Sequence, residues 1–185
     1  MFYQDKFTPA GADFTPVLQA ASAAGADLLY LPAPATVVNR VAGQVRQMSQ
    51  SGSPPLALLG SDSWHSADLD LTAAAGSYFT THFFLDDQRP QTQQWAETYK
   101  AANAVAPDTL AALGYDAATI LLEAIRQADT LDVEPVAEAL AQGRFEAVTG
   151  PLTFDPQHNP RRPVPVVQVK EGRIIFAEYV NNSTR

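Results

Sequence analysis

The chain has 185 residues, 46% hydrophobic and 17% charged, which suits one globular core or two small lobes. Its net charge of −8 comes with no basic stripe, so nucleic acids and anionic membranes are excluded as expected partners. Because the chain contains no cysteine, disulfides, thiolate nucleophiles and iron–sulfur clusters are excluded. The sequence has no apolar run of about 18 residues, the length that would predict a membrane span.

The first residues lack the basic and apolar segments of a signal peptide. We therefore expect either a cytosolic protein or one whose natural N-terminus is missing.

The first half of the chain alternates strands and helices. In order, the hydrophobic pattern predicts a strand over 2–7, a helix between an N-cap at Asp13 and Gly25, a strand over 27–31, a helix over 37–48, a strand over 56–60, a short helix over 67–74 and a strand over 77–81. The second and third strands are almost wholly apolar, which is typical of buried parallel strands. This rhythm predicts an α/β fold with a parallel sheet and right-handed crossovers, whose ligands bind beyond the carboxyl ends of the strands.

The second half begins with helices in succession. Helices are predicted from Pro90, from an N-cap at Asp108 and from an N-cap at Asp132. The expected core stripe of the second helix comprises Leu110, Leu113, Ala117, Leu121, Ala124 and Ile125. Strands are then predicted over 147–154, 164–170 and 173–179, the last two forming a hairpin, with a proline-rich connector over 155–163.

Few residues suggest catalysis or metal binding. His65, Asp68 and Asp70 could in principle hold a metal, but a polar helix start is the favoured interpretation. The chain has no Gly-x-Ser-x-Gly nucleophile motif and no glycine-rich phosphate loop. We expect Asp86–Asp87 to cap the helix that begins at Pro90. His82 follows a strand and is a candidate for lining a cleft.

Asp62, in the stretch LLGSDSWH over residues 58–65, has two explanations. It could cap a helix that starts near Ser66, although Ser63 or Ser66 suits that position better. Alternatively, a lone carboxylate at a strand end suits a ligand ammonium group, through a charge-assisted hydrogen bond in a partly dry site. The spacing of these residues leaves both explanations open.

Six segments, in register along nearly the whole chain, resemble the second-lobe signature of the leucine/isoleucine/valine-binding proteins. These are the extracytoplasmic solute receptors of amino-acid ABC transporters, and their fold is the type I periplasmic binding protein fold. The segments are ADFTPVL at 12–18, ADLLYLP at 26–32, GSDSW at 60–64, YFTTHF at 78–83, AALGYDA at 111–117 and FEAVTGPLTFD at 145–155.

The resemblance covers only the C-terminal half of the family pattern, so it implies an incomplete fold, the second lobe plus part of the first. It implies a second-lobe α/β segment over 1–86, a first-lobe segment over 87–160 and a β-hairpin returning to the second lobe over 161–185. The absent part would include the opening half of the first lobe and the first strand–helix unit of the second. We expect apolar surface to be left bare, and a homodimer or strand exchange could cover it.

The resemblance also implies a binding role without catalysis, cofactor or metal. In the family, an acid at the position of Asp62 holds the ligand's ammonium group, and hydroxyls and backbone amides of the absent half hold its carboxylate. Residues expected near the ligand are Asp62, Ser61, Trp64 as an apolar wall, Ala33, Pro34, Leu110 and His82. The family often has aromatic rings where this chain has Pro32–Pro34 and Leu110, so specificity for branched-chain amino acids is not carried over.

The implied function is uptake of an amino acid or similar small amphipathic solute, by hinge closure of two lobes and docking on an ABC permease. The implied location is periplasmic or extracellular. Two alternatives stay open. One is a ligand-sensing receptor or regulator of the same fold, and the other is a truncated chain with no ligand binding of its own.

Overall fold

A computed structural model describes residues 13–181, which form five helices and eight strands. The helices are α1 (Thr15–Ala23), α2 (Ala35–Gln50), α3 (Pro90–Asn103), α4 (Thr109–Ala128) and α5 (Val133–Gln142). The strands are β1 (Leu28–Leu31), β2 (Ala57–Gly60), β3 (Tyr78–Thr80), β4 (Phe145–Ala147), β5 (Gly150–Phe154), β6 (Pro160–Arg161), β7 (Pro163–Lys170) and β8 (Arg173–Asn181). The strand predicted over 2–7 lies outside the described residues.

The described residues divide into two compact units. Unit 1 comprises residues 13–80 and 166–177, and unit 2 comprises residues 81–165 and 178–181. The chain therefore passes between the units three times, after residues 80, 165 and 177. The lobe boundaries that the resemblance implies, 86/87 and 160/161, stay a prediction.

A five-stranded sheet in the order β1-β2-β3-β7-β8 organises unit 1. Its first three strands are parallel, with Leu31 beside Gly60 and Gly60 beside Phe79, and β7 joins β3 in antiparallel register. This confirms the predicted α/β class with a parallel sheet. The β7–β8 hairpin is also as predicted, and its turn places Glu171 and Gly172 at positive φ, which suits a tight two-residue connection.

Only one face of this sheet is buried among the described residues. Leu31, Phe79 and Val167 share a register position on that face and are at most 7% exposed. One position earlier along β1 and β3, Tyr30 is 58% and Tyr78 40% exposed, and Leu28 is 51% exposed. The prediction that β1 is fully buried is therefore wrong for the described chain. Its apolar residues on both faces are typical of a strand covered on both sides.

The short helix predicted over 67–74 is absent, and turns occupy its place. The Asp70 carboxylate accepts the backbone N–H groups of Thr72 (2.9 Å) and Ala73 (3.0 Å), and the Ser66 hydroxyl accepts that of Asp68 (3.1 Å). Short polar side chains offer the backbone an alternative to helical hydrogen bonds, so local chemistry favours turns here. The polar helix start expected at His65–Asp70 is wrong for the same reason.

Unit 2 contains α3, α4 and α5 with the three-stranded antiparallel sheet β4-β5-β6. The single strand predicted over 147–154 is a hairpin, in which Ala147 pairs with Gly150 across a tight turn. Gly150 has φ +118°, a conformation that most other residues avoid, and it allows the chain to reverse. Strand β6 was missed because it lies in the proline-rich connector.

Helix α4 buries a stripe that shares only Ala124 with the predicted one. Its buried residues are Ala112, Asp116, Ile120 and Ala124, spaced four apart. Leu110 is 78% exposed and Leu121 is exposed as well. The helix is apolar on two sides, so periodicity alone selects the wrong one.

The predicted helix caps had mixed outcomes. The Asp108 carboxylate caps α4 by accepting the Ala111 N–H at 2.8 Å, as predicted. Asp132 occupies the cap position of α5 but makes no side-chain capping bond. At α1 the cap position is Phe14 rather than Asp13, whose carboxylate accepts the N–H of Thr15. Asp87 does not cap α3, because it is buried in an ion pair with Arg89.

Candidate functional site

The loop that follows β2 carries the stretch singled out in the sequence. It forms one 3-10 turn over Asp62–Trp64, which the backbone closes through hydrogen bonds from Trp64 N to the Ser61 carbonyl (3.0 Å) and from His65 N to the Asp62 carbonyl (2.9 Å). The Trp64 indole N–H donates to the Leu31 carbonyl at 2.8 Å. This bond ties the loop to the carboxyl end of the neighbouring strand β1.

Gly60 lets the tryptophan fold back onto its own strand. A Cβ atom at this position would lie 2.2 Å from Cδ2 of Trp64, far inside van der Waals contact. The ring then packs 6.0 Å, centroid to centroid, from Phe79. The Trp64 side chain is completely buried, so it would have to move before its ring could contact a ligand. Its role as an apolar wall stays a prediction.

Two serine hydroxyls join this loop to the loop after β1. The Ser63 hydroxyl donates to the Ala33 carbonyl at 3.0 Å, and it accepts a hydrogen bond from the Ser61 hydroxyl at 2.8 Å. Ala33 itself is buried, whereas Pro34 is exposed. The structure thus brings the loops containing Ala33 and Ser61 together at the carboxyl edge of the parallel sheet.

Asp62 is the exposed first residue of the 3-10 turn. The explanation that it caps a helix near Ser66 is wrong, because no helix forms there. The loop presents an acid at the sheet edge, with its backbone held by Trp64 and its neighbouring serines bonded to each other. Such a site can accept charge-assisted hydrogen bonds from a cationic group of a ligand.

His82 and Leu110 belong to unit 2. His82 is half-buried, and its Nδ1 atom lies in hydrogen-bond contact with the Arg162 guanidinium. The same guanidinium donates to the buried Thr149 hydroxyl. Burial lowers the pKa of Arg162, as does the charge of Arg89, while the nearby Asp116 carboxylate opposes this effect. Leu110 stands exposed at the second position of α4.

Asp116 is a buried acid that sequence reasoning missed. Its carboxylate accepts the N–H of Val148 at 2.7 Å and that of Thr149 at 3.1 Å, so it holds the turn between β4 and β5. The Thr92 hydroxyl donates to the Val148 carbonyl at 2.8 Å on the other side of this turn. The available signal was an aspartate on the helix stripe between Ala112 and Ile120, where a charge must find partners.

No group of three or more acidic, histidine or cysteine side chains in residues 13–181 could hold a metal ion. Over the same residues, every helix is too short or too polar to cross a bilayer.

Known proteins share this fold. Residues 2–173 match the periplasmic binding protein family. A leucine-binding protein from Thermotoga maritima is 28% identical, with a TM-score of 0.78 over 95% of this chain and 51% of that protein. The binding protein LivJ from Streptococcus pneumoniae, solved with isoleucine, is 22% identical, with a TM-score of 0.73 over 95% of this chain and 50% of LivJ.

A solute-binding protein of an ABC transporter from R. palustris, solved with benzoate, is 19% identical, with a TM-score of 0.68 over 95% of this chain and 50% of that protein. At such identities the last two proteins show the fold alone. The chain spans about half the length of these relatives. It belongs to the periplasmic binding protein family and has the type I periplasmic binding protein fold over that half.

Proposed function

We propose that this chain is the C-terminal half of an extracytoplasmic solute receptor of an ABC importer. Its ligand would be an amino acid or a similar small amphipathic solute, held by closure of two lobes without covalent chemistry. Family membership supports the receptor role, and a structural relative named as a leucine-binding protein supports the amino-acid class.

The observation that carries the proposal is the position of Asp62. An exposed carboxylate stands at the carboxyl edge of a parallel sheet, where α/β proteins bind ligands. Trp64 and Ser63 fix the loop that carries it. We assign Asp62 to the ligand ammonium group, with Ser61, Ala33 and Pro34 around it. His82, Leu110 and Trp64 remain weaker candidates for ligand contact.

Calorimetry on the complete receptor, of which this chain is part, tests the assignment. Asp62→Asn should weaken binding of the cognate amino acid by about 2–5 kcal/mol, because the ligand ammonium, which lobe closure would bury, would lose its charged partner. Asp27→Asn is the matched control, since Asp27 is an exposed acid that immediately precedes β1 at the opposite edge of the same sheet. Equal affinities of the wild-type and Asp62→Asn proteins would contradict the assignment.

A second candidate is that the 185-residue chain has no ligand binding of its own. The observation that favours it is the length of the chain, about half that of its relatives. In this case the carboxylate-binding groups that the resemblance assigns to the other half would be absent. A sensing role of the complete protein would use the same site but would need no permease.

A further inference from the structure

The third passage of the chain between the units ends at a tyrosine. The first two passages are bonded to each other, since the Thr81 N–H donates to the Pro165 carbonyl at 3.0 Å within unit 2. The third passage enters unit 2 at residue 178, inside β8, and the next residue is Tyr179. The Tyr179 hydroxyl donates to the Asp87 carboxylate at 2.8 Å, across 92 positions of sequence.

Asp87 is a buried acceptor with several donors. Its side chain is 2% exposed, and it accepts the Arg89 backbone N–H at 2.9 Å. The Arg89 guanidinium also bonds to it, with Nε 3.0 Å from both carboxylate oxygens and Nη2 closer still to one of them. Burial alone would raise the pKa of Asp87, but the hydrogen bonds from Arg89 and Tyr179 outweigh it and lower that pKa. The carboxylate therefore stays charged and fully bonded.

Arg89 and Tyr179 also contact each other. The guanidinium lies 5.7 Å from the centre of the phenol ring, at a cation–π distance. Space for the guanidinium depends on Gly150, because a Cβ atom there would lie 2.2 Å from Nη1 of Arg89. The hydroxyl of Tyr179, whose side chain is otherwise partly exposed, thus donates to the Asp87 carboxylate, which Arg89 already holds in place.

We propose that Asp87, Arg89 and Tyr179 form a clasp. It fastens residues 178–181, which follow the third passage between the units, to residues 86–89, which follow the first passage. The clasp lies wholly within unit 2, and it fixes residues 178–181 to that unit. Bending between the lobes of the complete receptor would then be confined to residues before 178 on this passage. The consequence for closure rests on the proposed function, whereas the fastening itself does not.

Hydrogen exchange of the 185-residue protein without ligand tests the clasp. Tyr179→Phe removes one hydroxyl from a surface side chain, so the fold should survive. Amide exchange over 178–181 and 86–89 should accelerate by about tenfold or more, as expected for the loss of a hydrogen bond to a charged acceptor. Tyr115→Phe is the matched control in unit 2, and it should leave exchange over both segments unchanged.

Two results would overturn the clasp. One is unchanged exchange over 178–181 in Tyr179→Phe, and the other is an equal acceleration throughout α3 and α4, which would indicate general destabilisation. Asp87→Asn should also accelerate amide exchange over the same two segments, because it removes the charge of the acceptor. Since no ligand is present, failure of the clasp is distinguishable from failure of the proposed transport role, which ligand calorimetry tests.

Discussion

Gly60 determines whether the loop that carries Asp62 can form. The Trp64 ring occupies the space where a side chain at this position would begin. A larger residue would push the indole away from Phe79 and from its acceptor at Leu31. The placement of a candidate ligand-binding acid thus depends on the absence of one methyl group.

Gly60→Ala should lower the free energy of unfolding by about 1–3 kcal/mol, the usual effect of overpacking a core. Urea unfolding followed by tryptophan fluorescence measures this change. Gly43→Ala in α2 is the control, because a Cβ atom there meets no atom within 4 Å. The control should stabilise the helix by about 0.5–1 kcal/mol. Equal effects of the two substitutions would contradict this account.

Asp116 should matter for the stability of unit 2. Asp116→Asn keeps the size of the side chain but replaces one acceptor oxygen with a donor, facing the N–H groups of Val148 and Thr149. We expect a loss of about 1–3 kcal/mol in urea unfolding. Asp129→Asn at the C-terminal end of α4 is exposed and should change stability by less than about 0.5 kcal/mol. An unchanged free energy of unfolding in Asp116→Asn would show that the turn does not need the carboxylate.

The Asp87 carboxylate should make stability depend on acid pH. Its pKa is lowered in the folded state, so its contribution is present above the unfolded-state pKa of about 3.9 and is lost as pH falls through the lower folded value. Wild type should exceed Asp87→Asn in unfolding free energy by about 1.5–3 kcal/mol at pH 7. The gap should narrow below about pH 4. A gap that is constant with pH would argue against a charged Asp87.

The Tyr179 phenol should titrate at unusually high pH. Burial, followed by its hydrogen bond to Asp87, raises the pKa of Tyr179 to about 12. Its stabilising contribution is therefore present below the ordinary tyrosine pKa of about 10 and is lost as pH rises through about 12. An ultraviolet titration should show one tyrosine that ionises near pH 12 in wild type and in Tyr115→Phe, and this transition should be absent in Tyr179→Phe. The same late transition in Tyr179→Phe would assign it to another residue.

At the scale of elements, the sequence was sufficient to predict a helix or strand where one local signal, such as an apolar run or a capping residue, determines it. The apolar runs of β1 and β2, the spacing in α2 and the Asp108 cap predicted the corresponding elements correctly. It was insufficient where tertiary contacts decide. The β4–β5 turn depends on Asp116, a residue about 32 positions away, and the buried side of α4 depends on which neighbours are present.

The same limit applies to the candidate site. The position of Asp62 at the carboxyl edge of the sheet could be predicted, because it closely follows an apolar strand. The burial of Trp64 could not be predicted from the sequence, because it depends on a long-range hydrogen bond to Leu31 and on the space left by Gly60, which no local pattern reveals.

The exposed face of the unit 1 sheet should favour self-association of the 185-residue chain. Leu28, Tyr30 and Tyr78 form an apolar stripe across β1 and β3, and β1 is an edge strand of the described sheet. We propose a homodimer that covers this stripe. Light scattering at increasing concentration should show dimers, and Tyr30→Lys should shift the chain towards monomers. Val105→Lys, at an exposed apolar position in unit 2, is the control and should leave the dimers intact. A concentration-independent monomer would contradict the homodimer.

At the scale of the whole molecule, the proposed two-lobed receptor would bind its ligand only when both lobes are complete. The proposed function predicts that the 185-residue chain binds leucine weakly or not at all, because the resemblance assigns the groups for the ligand carboxylate to a half that lies outside these residues. Calorimetry with leucine measures this directly. Micromolar binding by the chain alone would refute the expectation and would place a complete site within these residues.

The three passages between the units also bear on the order of folding. Phe79 and Val167 are neighbours in one sheet, yet nearly all of unit 2 separates them in sequence. During synthesis, β3 must wait until β7 leaves the ribosome, whereas α4, α5 and the β4–β5 hairpin can form contacts among themselves earlier. The sheet that presents Asp62 would therefore be completed after most of unit 2 has been synthesised, and slow translation near residue 166 would prolong the exposure of an unfinished sheet edge.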